Sequence, residues 1–334
     1  MNPTIKEIAK RANVSIATVS RALNDLSNVK NDTKVLIKKI AEELNYNPNI
    51  AARNLVSKKT QIIGFVLPEI EGEFYTEVIK GIDKVAYGSG YHMIVASSHS
   101  ERSIVETLTN FMKRNFVDGV IVMIPAVNQQ VKELIEGSRV PVVIINAKNE
   151  IDNVDTVSID NYQGAYSITN YLIKNSGYKK IAIIKGPAQN NDALERFEGY
   201  LSALTDNNIE VNDNWIIEGD FTMKGGELAC SRLLTLSDRP DAIFACNDIM
   251  AIGCYKVINN LGLNIPDDIG VAGFDHINLS EFILPHLTTV HVPKEELGTE
   301  AGKLLIDRIE KGDTKEITHL KISTGIVFGN SSKN

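Results

Sequence analysis

From residue 62 onward the chain alternates short, continuous apolar runs with stretches whose apolar residues recur at helical spacing. Ile62 to Leu67, His92 to Ala96, Gly119 to Ile124 and Val142 to Ile145 read as buried strands. Amphipathic helices are expected between them, near 75–87, 102–114 and 129–137. The pattern then restarts with Val157 to Ile159, Ile181 to Ile184, Trp215 to Glu218, Ala242 to Cys246 and Gly270 to Phe274. A βαβ series that restarts predicts two doubly wound α/β lobes with parallel sheets. Sheets of that kind take ligands beyond the carboxyl ends of their strands, which places Pro68, Asn146, Asp160, Asn247 and Asp275 where a cleft should lie.

The first 60 residues have a different texture, that of short helices. Thr4-Ile5-Lys6-Glu7 has the capping-box spacing, so a helix should start at Ile5, with Ile8, Ala9 and Ala12 on its inner face. Asn13-Val14 reads as a turn, since Asn tolerates a left-handed backbone. Ser15 then caps a second helix carrying Val19, Ala22 and Leu23. A third runs from an Asp32-Thr33 cap through Val35, Ile37, Ile40, Ala41 and Leu44, ending near Asn45 before Pro48. The head is all-α, three helices around one small core.

Charge changes the picture. The net charge of −7 looks unsuited to a polyanion until it is divided along the chain. Residues 1–60 hold eleven Lys and Arg against five Asp and Glu, a balance of +6; the remainder carries −13. A basic head on an acidic body suggests that the head meets nucleic acid while the body stays away from it. Helix, tight turn, capped second helix and positive charge together form a helix-turn-helix, whose second helix enters the major groove of duplex DNA. On that helix Ile16 and Ala17 can touch thymine methyls and Arg21 can hold guanine O6 and N7. Thr4, Ser15, Thr18, Ser20, Asn24 and Thr33 are short polar groups suited to phosphates, and Lys6 adds charge. The plainer alternative is a three-helix bundle with a solvated charged face.

Other classes find little support. No GxGxxG follows a strand, and GxxxxGK[ST], HExxH and GxSxG are missing, so no enzyme is expected and no cofactor is implied. The six histidines show no metal spacing, and Cys230, Cys246 and Cys254 read as buried free thiols. No run is long and apolar enough for a membrane span and the start lacks an export signal, so a cytoplasmic protein is expected. That also argues against an exported sugar-binding protein.

Positions 4–24, Thr-Ile-Lys-Glu-Ile-Ala-Lys-Arg-Ala-Asn-Val-Ser-Ile-Ala-Thr-Val-Ser-Arg-Ala-Leu-Asn, closely resemble the start of lactose repressor (LacI/GalR) family transcription regulators. The family usually carries Gly at the turn, where this chain has Asn13. Leu44-Asn45-Tyr46-Asn47-Pro48-Asn49 followed by Ala52-Arg53-Asn54-Leu55 resembles the end of the family's head and its hinge helix. The resemblance implies DNA contacts at Asn49, Ala52, Arg53 and Leu55, with Leu55 wedged into the minor groove at the operator centre. An apolar wedge that partly unstacks a base step kinks the duplex at a cost offset by extra contacts. On the residues alone, Leu55 fits a linker packed on the body equally well. A hinge of eight residues is too short to hold as an isolated helix, so a partner hinge and the groove must order it together. A homodimer on a pseudo-palindromic operator is therefore expected.

In the body, Asp118-Gly119-Val120-Ile121, Asp160-Asn161 with Gly164-Ala165, Arg196-Phe197-Glu198-Gly199-Tyr200, Asn247 to Gly253, Gly273-Phe274-Asp275 and Leu287-Thr288-Thr289-Val290 resemble the family's effector domain. That domain is similar to periplasmic sugar-binding proteins. The resemblance implies a head over 1–47, a hinge over 48–60, one lobe from 61–160 with about 293–322, and another from 161–292 with about 323–334. It places Arg196, Asn247 and Asp275 in the cleft, where a guanidinium fork, an amide and a carboxylate can hold sugar hydroxyls. Phe74 and Phe221 match positions that stack on the ligand, and Asp160 and Asp192 are further candidates. Arg196 and Asp275 could instead form an internal ion pair, Phe74 and Phe221 could be core, and Asn247 could cap the next helix. The implied function is a dimeric repressor governed by a small-molecule effector, a sugar or sugar derivative. The alternatives are a purine or a phosphorylated protein corepressor, the latter because Ile16-Ala17-Thr18 also resembles catabolite control proteins.

Overall fold

The computed structural model describes residues 3–23, 28–46, 59–70, 72–98, 103–113, 116–146, 151, 153–312 and 316–333. They divide into two compact units, Met1–Thr60 and Gln61–Asn334.

In the first unit α1 (Ile5–Ala12), α2 (Ile16–Leu23) and α3 (Asn31–Glu43) enclose Ile8, Ala9, Ala12, Val19, Ala22, Val29, Ile37, Ile40 and Ala41. Asn13 adopts the left-handed conformation expected of the turn, φ 51° and ψ 46°, and its N–H donates to the Ala9 and Lys10 carbonyls. Ser15 Oγ accepts from the Thr18 N–H at 3.1 Å, the predicted cap. Two caps differ from expectation. The Thr4 hydroxyl makes no cap bond; its carbonyl takes the Glu7 N–H at 2.9 Å, while the Glu7 carboxylate pairs one turn onward with Arg11 at 3.5 Å. Glu7 therefore answers an i,i+4 cation instead of reaching back. Helix α3 starts at Asn31 with Lys30 at the cap, ahead of Asp32-Thr33. Val35, expected in the core, is 68% exposed. Two residues is about 200° around a helix, so with Ile37 inward Val35 must face out.

The second unit contains two six-stranded sheets. The first comprises β1 (Ile62–Leu67), β2 (His92–Ser97), β3 (Gly119–Met123), β4 (Val142–Ile145), β5 (Asp155–Ile159) and β11 (His319–Ile322), in the order β11-β5-β4-β3-β1-β2, every pair parallel. Helices α4 (Glu73–Gly88), α5 (Ile104–Lys113) and α6 (Gln129–Glu136) connect the early strands. The second sheet comprises β6 (Ile181–Lys185), β7 (Ile216–Glu218), β8 (Ala242–Ala245), β9 (Gly270–Asp275), β10 (Thr288–His291) and β12 (Gly325–Val327), in the order β12-β10-β9-β8-β6-β7. Its helices are α7 (Asn161–Lys174), α8 (Asn191–Asp206), α9 (Met223–Leu234) and α10 (Asp248–Asn260). All its pairs are parallel except β10 with β12, an antiparallel edge. That edge departs from the all-parallel expectation. Trp215 was expected to open a strand but closes a 3₁₀ turn, Asp213–Trp215, with the strand starting at Ile216.

The chain leaves the first sheet after β5, returns through α11 (Lys294–Lys311) to add β11, and crosses again to β12. Helix α11 packs on α4 at bare backbone: a Cβ on Gly81 would stand 2.1 Å from the Glu295 carbonyl, and one on Gly298 2.1 Å from that of Val78. Its Arg308 forks onto Asp155 at the start of β5, at 2.6 and 2.9 Å, and donates to the Glu316 carbonyl at 2.8 Å. The Asp155 carboxylate also takes the Thr318 N–H at 2.8 Å, so one buried ion pair anchors the approach to β11. On the other side, Ser331 and Ser332 are buried against β9 and β10, where Ser331 Oγ donates to the Val271 carbonyl at 2.6 Å and accepts from the Thr288 N–H at 2.7 Å.

Omitting the late strands, each sheet has the order 2-1-3-4-5, with a switch point beside its first strand. The strands end toward the same junction, where the site is assembled.

Candidate functional site

The outer face of α2 carries Ile16 (45% exposed), Ala17, Ser20 and Arg21, while Val19 and Ala22 point into the core. Positions 16 and 20, and 17 and 21, are one turn apart, so they form a single stripe. Thr18 is half-buried, its hydroxyl 2.8 Å from that of Ser15. Thr4 and Lys6 are exposed and Thr33 is half-buried in the first turn of α3. Asn24, Asn49, Ala52, Arg53 and Leu55, and the hinge helix with them, lie outside the described residues.

In the body Arg196 and Asp275 come together. Arg196, on α8, is 4% exposed; its Nη2 is 3.3 Å from Asp275 Oδ1, its Nε donates to Asn161 Oδ1 at 2.8 Å, and its Nη1 donates to the Cys246 carbonyl. The guanidinium lies 3.7 Å from the centre of the Phe274 ring. Asp192, a turn before Arg196, accepts from Asn161 Nδ2 and, across the lobe junction, from Asn146 Nδ2, both at 2.9 Å. Burial pushes the Asp192 carboxyl up to about 6 against the pull of Arg196. Burial also raises Asp275, with Arg196 and Lys294 opposing.

Asn247 caps α10, its Oδ1 accepting from the Met250 N–H at 2.9 Å, and its Nδ2 donates to the Phe221 carbonyl at 3.0 Å. Phe221 has φ 65° and its ring lies over Gly186. Asn146 (φ 61°), Asp275 (φ 103°) and His276 (φ 50°) are likewise left-handed, backbone held out of its ordinary range at strand ends. Phe74 is half-buried and meets Tyr75 edge-on at 5.6 Å. Burial, with the charges of Glu69, Asp275 and Asp192, pushes the Tyr75 phenol up to about 12, which sets that hydroxyl in the same electrostatic field. Asp160 stays at the rim, capping α7 through the Gln163 N–H at 3.2 Å and facing Lys321 at 3.6 Å.

Several participants have no signature of their own in the sequence. Asn161 orients both Arg196 and Asp192, yet reads as an ordinary helix-start residue beside Asp160. Asp248 accepts from Thr289 Oγ1 at 2.5 Å and the Ile277 N–H at 2.9 Å, and burial together with the Asp275 charge pushes it up to about 7. Its native pKa lies above the unfolded value. The folded protein thus binds the extra proton between about pH 4 and pH 7, and the stability tied to it is lost as pH rises through that window. Asp248→Asn can still accept from the Ile277 N–H, turns its amide N–H toward Thr289 Oγ1 as a donor, and removes the titration. Its melting temperature, followed from pH 5 to 8, is expected to fall less than that of the wild type; identical slopes would refute the assignment.

Several links span the junction. Besides Asn146 to Asp192, the Asn191 N–H donates to the Pro125 carbonyl at 3.0 Å, and the Asn278 N–H donates to the Glu73 carboxylate at 2.7 and 2.8 Å. Lys294 Nζ donates to the carbonyls of Asp275 at 2.7 Å and His276 at 2.8 Å. Within this closure, among the described residues, three buried polar atoms make no hydrogen bond: Asn146 Oδ1, Asn191 Nδ2 and Asp275 Oδ1, the last meeting only the Arg196 ion pair. Among the described residues, no three His, Cys, Asp or Glu side chains gather as metal ligands, and no helix is long and apolar enough to cross a membrane.

A helix-turn-helix unit joined to a two-sheet body with a polar cleft defines a ligand-responsive DNA-binding regulator. The family described as "Bacterial regulatory proteins, lacI family" matches residues 4–49, and "Periplasmic binding proteins and sugar binding domain of LacI family" matches residues 60–329. The chain is 36% identical to catabolite control protein A of Priestia megaterium over 334 residues, covering 100% of both. It is 33% identical to the HTH-type transcriptional repressor PurR of Mannheimia succiniciproducens over 331 residues, 99% of this chain and 98% of that one. Among solved structures, the lac repressor dimer bound to operator and the anti-inducer ONPF superimposes with a TM-score of 0.89 at 25% identity, covering 100% of both chains. The chain belongs to the LacI family. It is a DNA-binding transcriptional repressor and not an enzyme.

The stripe on α2 gives a direct test. Arg21→Ala is expected to relax base choice at one operator position by about 1–3 kcal/mol, while Lys6→Ala weakens all sequences alike. Binding measured against single-base operator variants distinguishes the two; the reverse pattern would mean that another face enters the groove.

Proposed function

We propose that the effector is a sugar or sugar derivative, seated where the two sheets face each other, and that it sets operator affinity by stabilising one arrangement of the lobes. The observation that carries this reading is that Asn146 Oδ1 and Asn191 Nδ2 are buried without hydrogen-bond partners at the lobe junction, and that Asp275 Oδ1 meets only the Arg196 ion pair at 3.3 Å. Buried polar atoms are costly unless paired, so two acceptors and a donor meeting at a junction ask for a ligand with hydroxyls pointing several ways. Phe74, Tyr75 and Phe221 add apolar surface for a ring face. Asp192, Arg196 and Asn247 then hold the wall in place more than they touch the ligand, and Asp160 guards the rim. The matched family's description as a sugar binding domain supports the same reading.

The lobes are linked to operator binding by differential affinity: an effector that prefers one closure changes the separation of the two hinges, residues 48–60, and so the ordering of their helices on DNA. We place the head at 1–47 and the lobes at 61–160 with about 293–322 and 161–292 with about 323–334, working in the cytoplasm. A thermal-shift screen of sugars and purines on the purified protein tests the effector class, because a ligand that binds only the native state raises its melting temperature. Stabilisation by a sugar supports the reading; stabilisation by a purine alone replaces it. A purine is the second reading because it too offers donors and acceptors on a flat ring. Silence across both classes points to a protein corepressor, in line with the full-length match to a catabolite control protein.

A further inference from the structure

We propose that the cleft selects an effector without negative charge, a neutral or amino sugar over its phosphate ester, and that Asp192 and Asp275 impose the selection. This rests on the sugar reading above. Three carboxylates, Asp192, Asp248 and Asp275, gather at the strand ends, and the cations among them are committed. Arg196 gives its donors to Asn161, the Cys246 carbonyl and Asp275, and lies on Phe274. Lys294 spends its ammonium on the carbonyls of Asp275 and His276. Lys185, at the end of β6, lies 4.8 Å from the centre of the Phe197 ring, and Lys321 faces Asp160.

Three helix amino termini at the junction, which ordinarily favour anions, already hold their own groups, and that of α4, which no side chain caps, carries Glu73 in its first turn. Asp160 caps α7, Asn190 caps α8 through the Ala193 N–H at 2.9 Å, and Asn247 caps α10. Asp192 itself occupies the first turn of α8. Two of the three unsatisfied atoms at the junction are acceptors, the third, Asn191 Nδ2, being a single amide donor. Asn146 Oδ1 and Asp275 Oδ1 are acceptors, which hydroxyl or ammonium donors complete and phosphate oxygens do not. A phosphoryl group would meet carboxylates with no guanidinium fork to receive it, and like charges so placed oppose binding strongly.

The full-length protein is titrated with glucose and glucose 6-phosphate, ribose and ribose 5-phosphate, and glucosamine, with hypoxanthine as the purine probe. Whichever sugar binds is expected to bind at least about 100-fold more tightly than its phosphate ester. Asp192→Asn is expected to narrow that ratio by at least about tenfold, and its urea midpoint confirms that it folds; the wild-type ratio decides the matter even if it does not. A phosphate ester that binds as tightly as its parent sugar, or more tightly, overturns the inference and leaves the sugar reading standing. A response to hypoxanthine alone overturns both.

Discussion

Between 50 and 200 mM salt, operator affinity is expected to fall by about three to five orders of magnitude, on the assumption that the paired heads together neutralise roughly six to ten phosphates. The expectation follows from where charge sits. The head holds +6 over residues 1–60, with Lys6, Lys10, Arg11, Lys38 and Lys39 exposed on helices whose apolar faces are closed on one another. The rest of the chain carries −13 and gains nothing from a polyanion. Affinity therefore comes from counterions released at the head, and each phosphate contact contributes to the slope of log K against log salt. Fluorescence anisotropy with an operator duplex and with a scrambled one measures it. A slope near zero would mean that the head does not grip the backbone.

Arg196→Ala is expected to destabilise the protein by about 3–5 kcal/mol, the usual cost of removing one partner from a buried, hydrogen-bonded charge pair. The loss has several parts that share one cause. Asp275 loses its counter-ion, Asn161 Oδ1 and the Cys246 carbonyl lose their donor, and Phe274 loses the guanidinium over its ring. Asp192 loses the cation that opposes its desolvation. Urea unfolding reads the change, and adding Asp275→Asn should restore part of it by removing the stranded carboxylate. A single variant as stable as the wild type would show that the network is not closed as described. The effector response should vanish with the network, since Asp275 Oδ1 would be left free to reorient.

Much of this was legible beforehand, and the failures are instructive. Asn13 and Ser15 were readable because each acts within four residues, the range over which a turn and a cap are decided. The Thr4 box failed at equally short range because Arg11 offered Glu7 a competing partner. Strands β1 and β4 match their apolar runs end to end, being buried on both faces. Strands β10, β11 and β12 left no such trace: Thr288, Thr289, His319 and Lys321 interrupt the apolar pattern, and their pairing comes from residues far along the chain. In the cleft, the family resemblance pointed to Arg196 and Asp275, but nothing in their sequence surroundings tells a ligand fork from an internal pair. Here Arg196 faces Asp275 directly. Asn161, matched only as part of a motif with Asp160, showed no role in the sequence because that role exists only once α7 and α8 are side by side.

The late strands also bear on synthesis. Both sheets take a strand from beyond residue 318, and Ser331 and Ser332 complete the packing on β9 and β10, so neither lobe is whole until the segment 319–333 has been made. The head needs nothing past residue 46 to close its core. A ribosome partway through the message thus already displays a finished groove-reading module on a sensor that cannot yet fold, and a stalled or prematurely terminated product would keep it that way.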